Sequence, residues 1–503
     1  MSECSAQVVR MRSIYAAAES VLVAIDSAAA LRHDGLLRLL SLVEPAMTVA
    51  KQSSAVTGLL EDASIQATLA EFCSDRYWNR IWIVQEFAIG HNVQFLVGDS
   101  VVAASKLGSI LALLRTQPQA ERWAQALAIY RIRDSFQTNK PLPLLDALVR
   151  TRRSLCQRRH DRVLGMIGLS PDALKYLAEP NYEMDLAQTS KAMTRSYVMK
   201  VSPDVIFLGP HSATSESLPS WCVNWFHFDQ HPPDIRVVTQ LVDYVLPATS
   251  SSIRFWIATG SSTPDLTFRE DSLLTAANRI GTIRSLGSTW SHPADPAFPT
   301  HDPNWISPAQ GSWLCKEMYA LFMRAVGSYR WIPRWYISFS LDYSFTRAFL
   351  ESHDTGDEEH QHDKLLQWIR ANRNFYTGDL SLSSAAKRLW HPFWTRGIFA
   401  FDFWLLIDRD RELFREDMSM IARTDMRLMG LDSHFPHRMG WAAPAARLYD
   451  EVFLIPGCRS PAILRPTTDG KYRLVGDAIV IGAMMGEVWK DVTAEQLQHI
   501  EIV

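Results

Sequence analysis

Three polar residues in one short stretch hold the clearest chemical potential of this chain. Arg80, Gln85 and Glu86 lie within Tyr77-Trp78-Asn79-Arg80-Ile81-Trp82-Ile83-Val84-Gln85-Glu86. A carboxyl held against an aromatic wall loses hydration, its pKa rises, and it can act as a general acid or base. The competing role is a buried carboxylate that anchors backbone or arginine groups. That role is favoured, because no paired acid/base partner is visible. Arg80 and Glu86 are six positions apart, so they do not meet along one helix and each needs a partner elsewhere.

Two further clusters have suitable residue types. Arg150, Arg152, Arg153, Arg158, Arg159 and Arg162 surround Cys156. Such a run can hold an anion or lower the pKa of the thiol, but no base for the thiol is identified. A solvated face or internal ion pairing accounts for the run. His353, His360 and His362 stand among Asp354, Asp357, Glu358, Glu359 and Asp363, donor types that can bind a divalent metal. The stretch has no periodicity and reads as a solvated loop. No nucleophile elbow, Gly-rich phosphate loop or dinucleotide fingerprint occurs. The sequence therefore implies neither a metal nor a cofactor.

Positioning these residues falls to elements read from apolar spacing. Val8, Met11, Ile14, Tyr15 and Ala18 predict a helix over Gln7–Glu19, which feeds a short strand at Val21–Ile25. Helices are expected at 31–50 and 55–73. One more is expected over Tyr77–Ala88, with Trp78, Trp82 and Gln85 on a single face and the two indoles seating it in the core. Val93–Val97 and Val101–Ala103, joined by Gly98-Asp99-Ser100, predict a hairpin, and 104–150 reads as helical. Gly260–Asp265 and Ser285–Gln310 read as loops. Helical patterns return at 311–328, 364–373 and 383–389. Short β-branched runs follow from Val452, ending in Tyr472–Val475 and Ala478–Ile481. Gly476, Gly482 and Gly486 suit turns and close packing.

The bulk numbers exclude several classes. A chain of 503 residues implies two or three packed units. A formal charge of −3 gives no electrostatic basis for nucleic-acid binding. No apolar stretch is long enough to span a membrane, and Met1–Arg10 has no apolar run resembling a secretion signal. The six cysteines are too far apart for a zinc site or a disulfide framework. A cytoplasmic location is expected. The 17 tryptophans suit either large cores or pockets for apolar ligands.

Four stretches, in order, resemble the fungal heterokaryon-incompatibility (HET) family. The first is Gln7-Val8-Val9-Arg10-Met11 with Ile14-Tyr15, Ala18-Glu19 and Val21. The second, and most specific, is Tyr77 to Glu86, whose signature residues are Tyr77, Trp78, Arg80, Trp82, Gln85 and Glu86. The third is Asp161-Arg162-Val163-Leu164-Gly165-Met166-Ile167-Gly168-Leu169, followed by Leu218-Pro219-Ser220-Trp221 with Asn224-Trp225. The fourth is Tyr472-Arg473-Leu474-Val475-Gly476-Asp477 with Gly482, Met484, Gly486 and Glu487. The family's first strand, ending in Trp-Gly, and its Cys-Ile-Asn-Gln-like segment have no counterpart here.

The resemblance implies an α/β to α+β fold. Its parts would be a truncated, TIR-like HET domain over 1–150, a post-HET region with loops over 151–310, a mainly helical region over 311–450 and a β-rich segment over 451–503. In a TIR-like sheet the missing strands would line the nucleotide-facing crevice, so that site is expected to be lost or rebuilt. Two functions follow. One is a repurposed, cofactor-independent cyclase of fungal secondary metabolism, acting on an apolar, terpenoid-like intermediate. HET-like proteins that form the norbornene of sordarin-type diterpenoids by an intramolecular Diels–Alder reaction are the precedent. A cycloaddition needs only a shaping pocket and one hydrogen-bond donor to the dienophile; Arg80, Gln85 and Glu86 are the catalytic candidates. The other is an incompatibility and cell-death protein acting through a protein partner.

Overall fold

The computed structural model describes residues 3–24, 34–43, 54–97, 100–114, 123–140, 142–177, 180–209, 218–227, 257–289, 300–302, 425–432, 439–480 and 483–503, with 241, 371, 376–377 and 380–381. Helices and sheets both occur, giving an α+β fold. The chain forms two compact units. Unit 1 comprises Met1–Ser196, Asn224–Pro233 and Val242–Val245, and unit 2 comprises Tyr197–Val223, Asp234–Leu241 and Leu246–Val503.

Unit 1 is mainly helical. Its helices are α1 (Glu3–Ala17), α2 (Asp34–Leu42), α3 (Ser54–Leu60), α4 (Ala63–Ser74), α5 (Ile83–Ile89), α6 (Ala104–Leu114), α7 (Ala124–Gln137), α8 (Leu144–Arg150) and α9 (Asp161–Leu164). Helix α10 (Leu186–Lys200) begins in unit 1 and ends in unit 2. Strand β1 (Val21–Val23) pairs parallel with β2 (Val93–Val97), which pairs antiparallel with β3 (Ser100–Ala103). Alternation along these strands sends Val23, Val93, Phe95 and Val102 into the core, leaving Leu22 and Val101 exposed. The hairpin forms where its pattern predicts it; Gly98 and Asp99 lie outside the described residues.

The 55–73 pattern resolves into two helices because Asp62 caps the second. Its Oδ1 accepts from the backbone N–H groups of Ser64 (2.8 Å) and Ile65 (3.3 Å). Helix α4 then buries Ile65, Leu69, Phe72 and Cys73 on one stripe.

Tyr77–Ala88 is not the single helix that its spacing predicts. Arg76–Asn79 is a 3-10 turn nucleated by Asp75, whose carboxylate accepts from Tyr77 N at 2.7 Å. Arg80 is extended (φ −84, ψ 133) and forms a parallel bridge with Leu155, and α5 starts only at Ile83. Trp78 and Trp82 therefore do not share a helical face. Trp78 is fully buried, while Trp82 is only half-buried. Trp78 is the hub of the core: its ring lies 5.6 Å from Phe72, 5.3 Å from Phe87, 5.8 Å from Phe95 and 5.7 Å from Tyr130. Those contacts join α4, α5, β2 and α7.

Unit 2 is a mostly antiparallel sheet of β4 (Leu266–Arg269), β5 (Ser272–Leu286), β6 (Thr300–His301), β9 (Arg427–Leu431), β10 (Met439–Ala442), β11 (Glu451–Leu454), β12 (Ala462–Pro466), β13 (Tyr472–Val480) and β14 (Leu497–Ile502). A separate hairpin joins β7 (Tyr376–Thr377) to β8 (Leu380–Ser381). Two expectations are corrected here. Ser285 and Leu286 are not loop; they finish β5, paired with His301 and Thr300 on one side and with Gly430 and Met429 on the other. Tyr472–Val475 and Ala478–Ile481 are one strand as far as Val480, and the gap between them is a bulge where Gly476 faces Ile463. Gly486 has φ 78, a turn conformation natural to glycine, and Gly482 lies outside the described residues. So do the helical patterns at 311–328 and 383–389, the His-rich stretch 352–363, and all of 364–373 except helical Ala371.

Candidate functional site

The 3-10 turn, the extended Arg80 and helix α5 set the direction of the three candidate side chains. They send them to different places. Gln85 is fully buried, and its Nε2 donates to the carbonyl of Gly165 at 2.7 Å. Its Oε1 lies so close to Gly168 that a Cβ added there would sit 2.5 Å away. Gly165 N in turn donates to Asp161 O at 2.8 Å, closing α9. The Tyr77–Glu86 and Asp161–Leu169 stretches thus interlock through one amide and two glycines. Gln85 is a structural tie with no access to solvent.

Glu86 is half-buried and faces α1 instead. The Tyr15 hydroxyl donates to its Oε2 at 3.2 Å. Burial first, then the charge of Glu86 and the hydrogen bond to it, push the Tyr15 phenol up to about 12, with Arg80 pulling weakly the other way. Tyr77 feels the same carboxylate. Burial, followed by the Glu86 charge, raises its ionisation far above the usual phenol range. Its hydroxyl is buried and, among the described residues, has no partner in hydrogen-bond geometry. Both phenols therefore stay protonated at physiological pH, Tyr15 donating to Glu86 and Tyr77 keeping an unused donor. Arg80 is exposed at the rim, near enough to act electrostatically on both tyrosines.

The arrangement is a carboxylate acceptor, two protonated phenols and one guanidinium, drawn from α1, the 3-10 turn, the Arg80 bridge and α5. It can receive a polar group of a ligand or partner, with Arg80 and Glu86 offering opposite charges. Tyr15 reads in the sequence as one more apolar helical position. Its signal is a hydroxyl-bearing side chain on a helix with little amphipathic contrast.

The arginine run is occupied internally where its contacts are described. Arg150 Nε meets both oxygens of Asp146 at 2.8 and 2.9 Å. Arg158 lies over the Tyr182 ring, 5.3 Å from its centroid. Buried Arg162 donates to the carbonyls of Arg152 (3.1 Å) and Ser154 (3.0 Å), and lies 3.9 Å from Cys156 Sγ.

Unit 2 contains residues 218–221 and strand β13. Ser220 Oγ accepts from Leu474 N at 2.8 Å and donates to the carbonyl of Val503, and Trp221 Nε1 donates to Asp271 O at 3.0 Å. Nearby in sequence, Asp204 is a residue the motif reading passes over. It is fully buried and accepts from Arg459 N at 2.8 Å and Ser202 Oγ at 3.0 Å. Burial outweighs those bonds, and with a small push from Asp477 its carboxyl is raised to about 6. The signal for it was present: a carboxylate set directly before the apolar run Val205-Ile206-Phe207-Leu208.

Among the described residues, no cluster of three or more His, Cys, Asp or Glu could hold a metal ion. Cys73, Cys156, Cys222 and Cys458 are free thiols, and no described helix is long and apolar enough to cross a membrane. No curated protein and no solved structure matches the chain. Residues 1–86, the stretch that supplies Tyr15, Tyr77, Arg80, Gln85 and Glu86, match the family model for Heterokaryon incompatibility protein (HET).

Proposed function

We propose that the chain has a heterokaryon-incompatibility-related function exerted through a protein partner, with the Tyr15–Tyr77–Arg80–Glu86 cluster as its functional centre. The observation that carries this reading is a coincidence of two boundaries. The residues matching the family model, 1–86, contain Tyr15, Tyr77, Arg80 and Glu86, a polar cluster that combines an exposed cation with a half-buried carboxylate. The parallel β1–β2 pair, with Phe72 of α4, Trp78 of the 3-10 turn and Phe87 of α5 packed on Phe95, supports the finer TIR-like kinship. Free thiols suit a cytoplasmic setting.

Expression of the full chain in a filamentous fungus tests the proposal. Growth arrest and cell death are expected with the wild type, and Glu86→Ala should abolish them without lowering the amount of folded protein. Normal growth at high expression would overturn it.

The competing reading is the cofactor-independent, Diels–Alder-type cyclase with an apolar substrate. The tryptophan content favours it. Against it, Trp78, Trp123, Trp221 and Trp225 are each fully buried, and the Trp78 ring meets other rings on several sides rather than an open cavity. Gene deletion with untargeted mass spectrometry separates the two. An accumulated apolar isomer that the purified protein converts without added cofactor would establish the cyclase.

A further inference from the structure

Helix α1 sits on the Glu86 cluster with few anchors. Among its described side chains only Ser5 and Val8 are buried; Gln7, Arg10, Arg12, Ser13 and Ile14 are exposed, Ile14 at 59%. Helix α5 beneath it is the reverse, with Ile83, Val84, Gln85, Phe87, Ala88 and Ile89 all buried. The described ties of α1 are spread along its length and mostly polar. Ser5 Oγ accepts from Tyr182 N at 3.3 Å, the Arg12 guanidinium lies 5.9 Å from the Phe136 centroid, and Tyr15 donates to Glu86 at 3.2 Å. A helix of 15 residues with so little apolar burial among its described side chains leans on those ties. Elements of this kind open locally well before the core unfolds.

The geometry points to α1 as a strap over the signature cluster. In the closed state Tyr15 occupies the Glu86 carboxylate, and its phenol lies close enough to contribute to the raised ionisation of Tyr77. Lifting the strap frees the Oε2 acceptor and uncovers the Tyr77 hydroxyl beside Arg80. The cluster then turns from a closed Tyr15–Glu86 contact into an open acceptor, donor and cation. Partner access is thus set by a local equilibrium, and a partner group that replaces the Tyr15 hydroxyl on Glu86 would shift it. This rests on the cluster being the functional centre, as proposed above, yet its test needs no partner and no cell-death readout.

Hydrogen exchange of the purified full chain, read peptide by peptide, tests it. The α1 amides should exchange at least about tenfold faster than those of α5. Tyr15→Phe should speed α1 by a further factor of about three to ten, the scale of one hydrogen bond, and leave α5 unchanged. Val8→Ala, which removes the buried apolar anchor, should act the same way. Protection of α1 equal to that of α5, or a loss that spreads to α5 in both variants, would make α1 part of the core and overturn the strap. An absence of cell death in the fungal assay would leave this exchange result standing and would count against the functional reading alone.

Discussion

Glu86 in unit 1 and Asp204 in unit 2 are both carboxylates drawn out of water, and they are held in opposite ways. Asp204 is sealed: its partners are a backbone N–H from Arg459 and the hydroxyl of Ser202, two residues away. Glu86 is half-buried, its partner is a phenol on a lightly seated helix, and an exposed guanidinium stands nearby. The carboxyl raised to about 6 is the sealed one. On the reading proposed above, the sealed carboxylate is the strut and the accessible one the site. Access, and a partner that can leave, distinguish a site from a strut.

The contrast can be broken first at the core that presents Glu86. Trp78→Ala removes the ring that touches Phe72, Phe87, Phe95 and Tyr130. A loss of about 3–5 kcal/mol is expected, read in denaturant melts and in faster exchange at α5 and β2. A loss under about 1 kcal/mol would mean that the Tyr77–Glu86 stretch is not seated by its indole.

Asp204 gives the next largest effect, and its sign is opposite. A carboxyl whose folded value is raised from 3.8 to about 6 contributes stability that is fully present below pH 3.8 and lost as pH rises through about 6. At pH 8 the charged group costs on the order of 3 kcal/mol. Asp204→Asn keeps an acceptor for Arg459 N and a donor for Ser202, so it should stabilise the protein at pH 8 and make little difference at pH 4. Melting curves at the two pH values check this. A variant destabilised at pH 8 would show that the Asp204 charge earns its place, and the strut would need another explanation.

Gly168→Ala sharpens the picture of how Gln85 supports Glu86. The new methyl would meet Gln85 Oε1 and must displace the amide from Gly165 O, at a cost of about 1–3 kcal/mol. Gln85 precedes Glu86 in α5, so the same variant should also weaken the Tyr15 contact, seen as faster exchange in α1. A cost with no change in α1 would separate the tie from the site.

Local pattern made some of this legible and long-range contact hid the rest. Helix α1, strand β1 and the β2–β3 hairpin follow from periodicity within a few residues. The break at Arg80 does not, because the bridge that imposes it comes from Leu155, and nothing between Tyr77 and Ala88 signals it. Asp204 stands out in sequence as a carboxylate before an apolar run, but what holds it does not, since that N–H belongs to Arg459. At the candidate site, Arg80 and Glu86 were visible as residue types, but Tyr15 was indistinguishable from a core position. Its polar use depends on α1 crossing α5, a tertiary fact. Gly476 was seen as a packing glycine, yet the bulge that merges two expected strands into one needed β12 beside it.

The smallest expected effect tests the contact on which the comparison turns. The Tyr15 phenol is raised to about 12 chiefly by burial, and next by the Glu86 charge and hydrogen bond. Glu86→Gln leaves a carbonyl that still accepts from Tyr15 but removes the charge. The Tyr15 value should therefore fall below about 12 while staying above the unperturbed 10, because burial persists. Ultraviolet titration of the variant and the wild type, each set against its Tyr15→Phe counterpart, isolates this one ring among the 14 tyrosines. The linkage has a fixed sign: a raised phenol stabilises the folded chain fully below pH 10, and that contribution disappears as pH rises through about 12. Glu86→Gln should narrow the window from its upper end. A Tyr15 titration that the charge does not move would mean the phenol and carboxylate are apart in solution, so that Glu86 is open without any strap. A fall all the way to 10 would mean that burial contributes nothing and that α1 already stands off its seat.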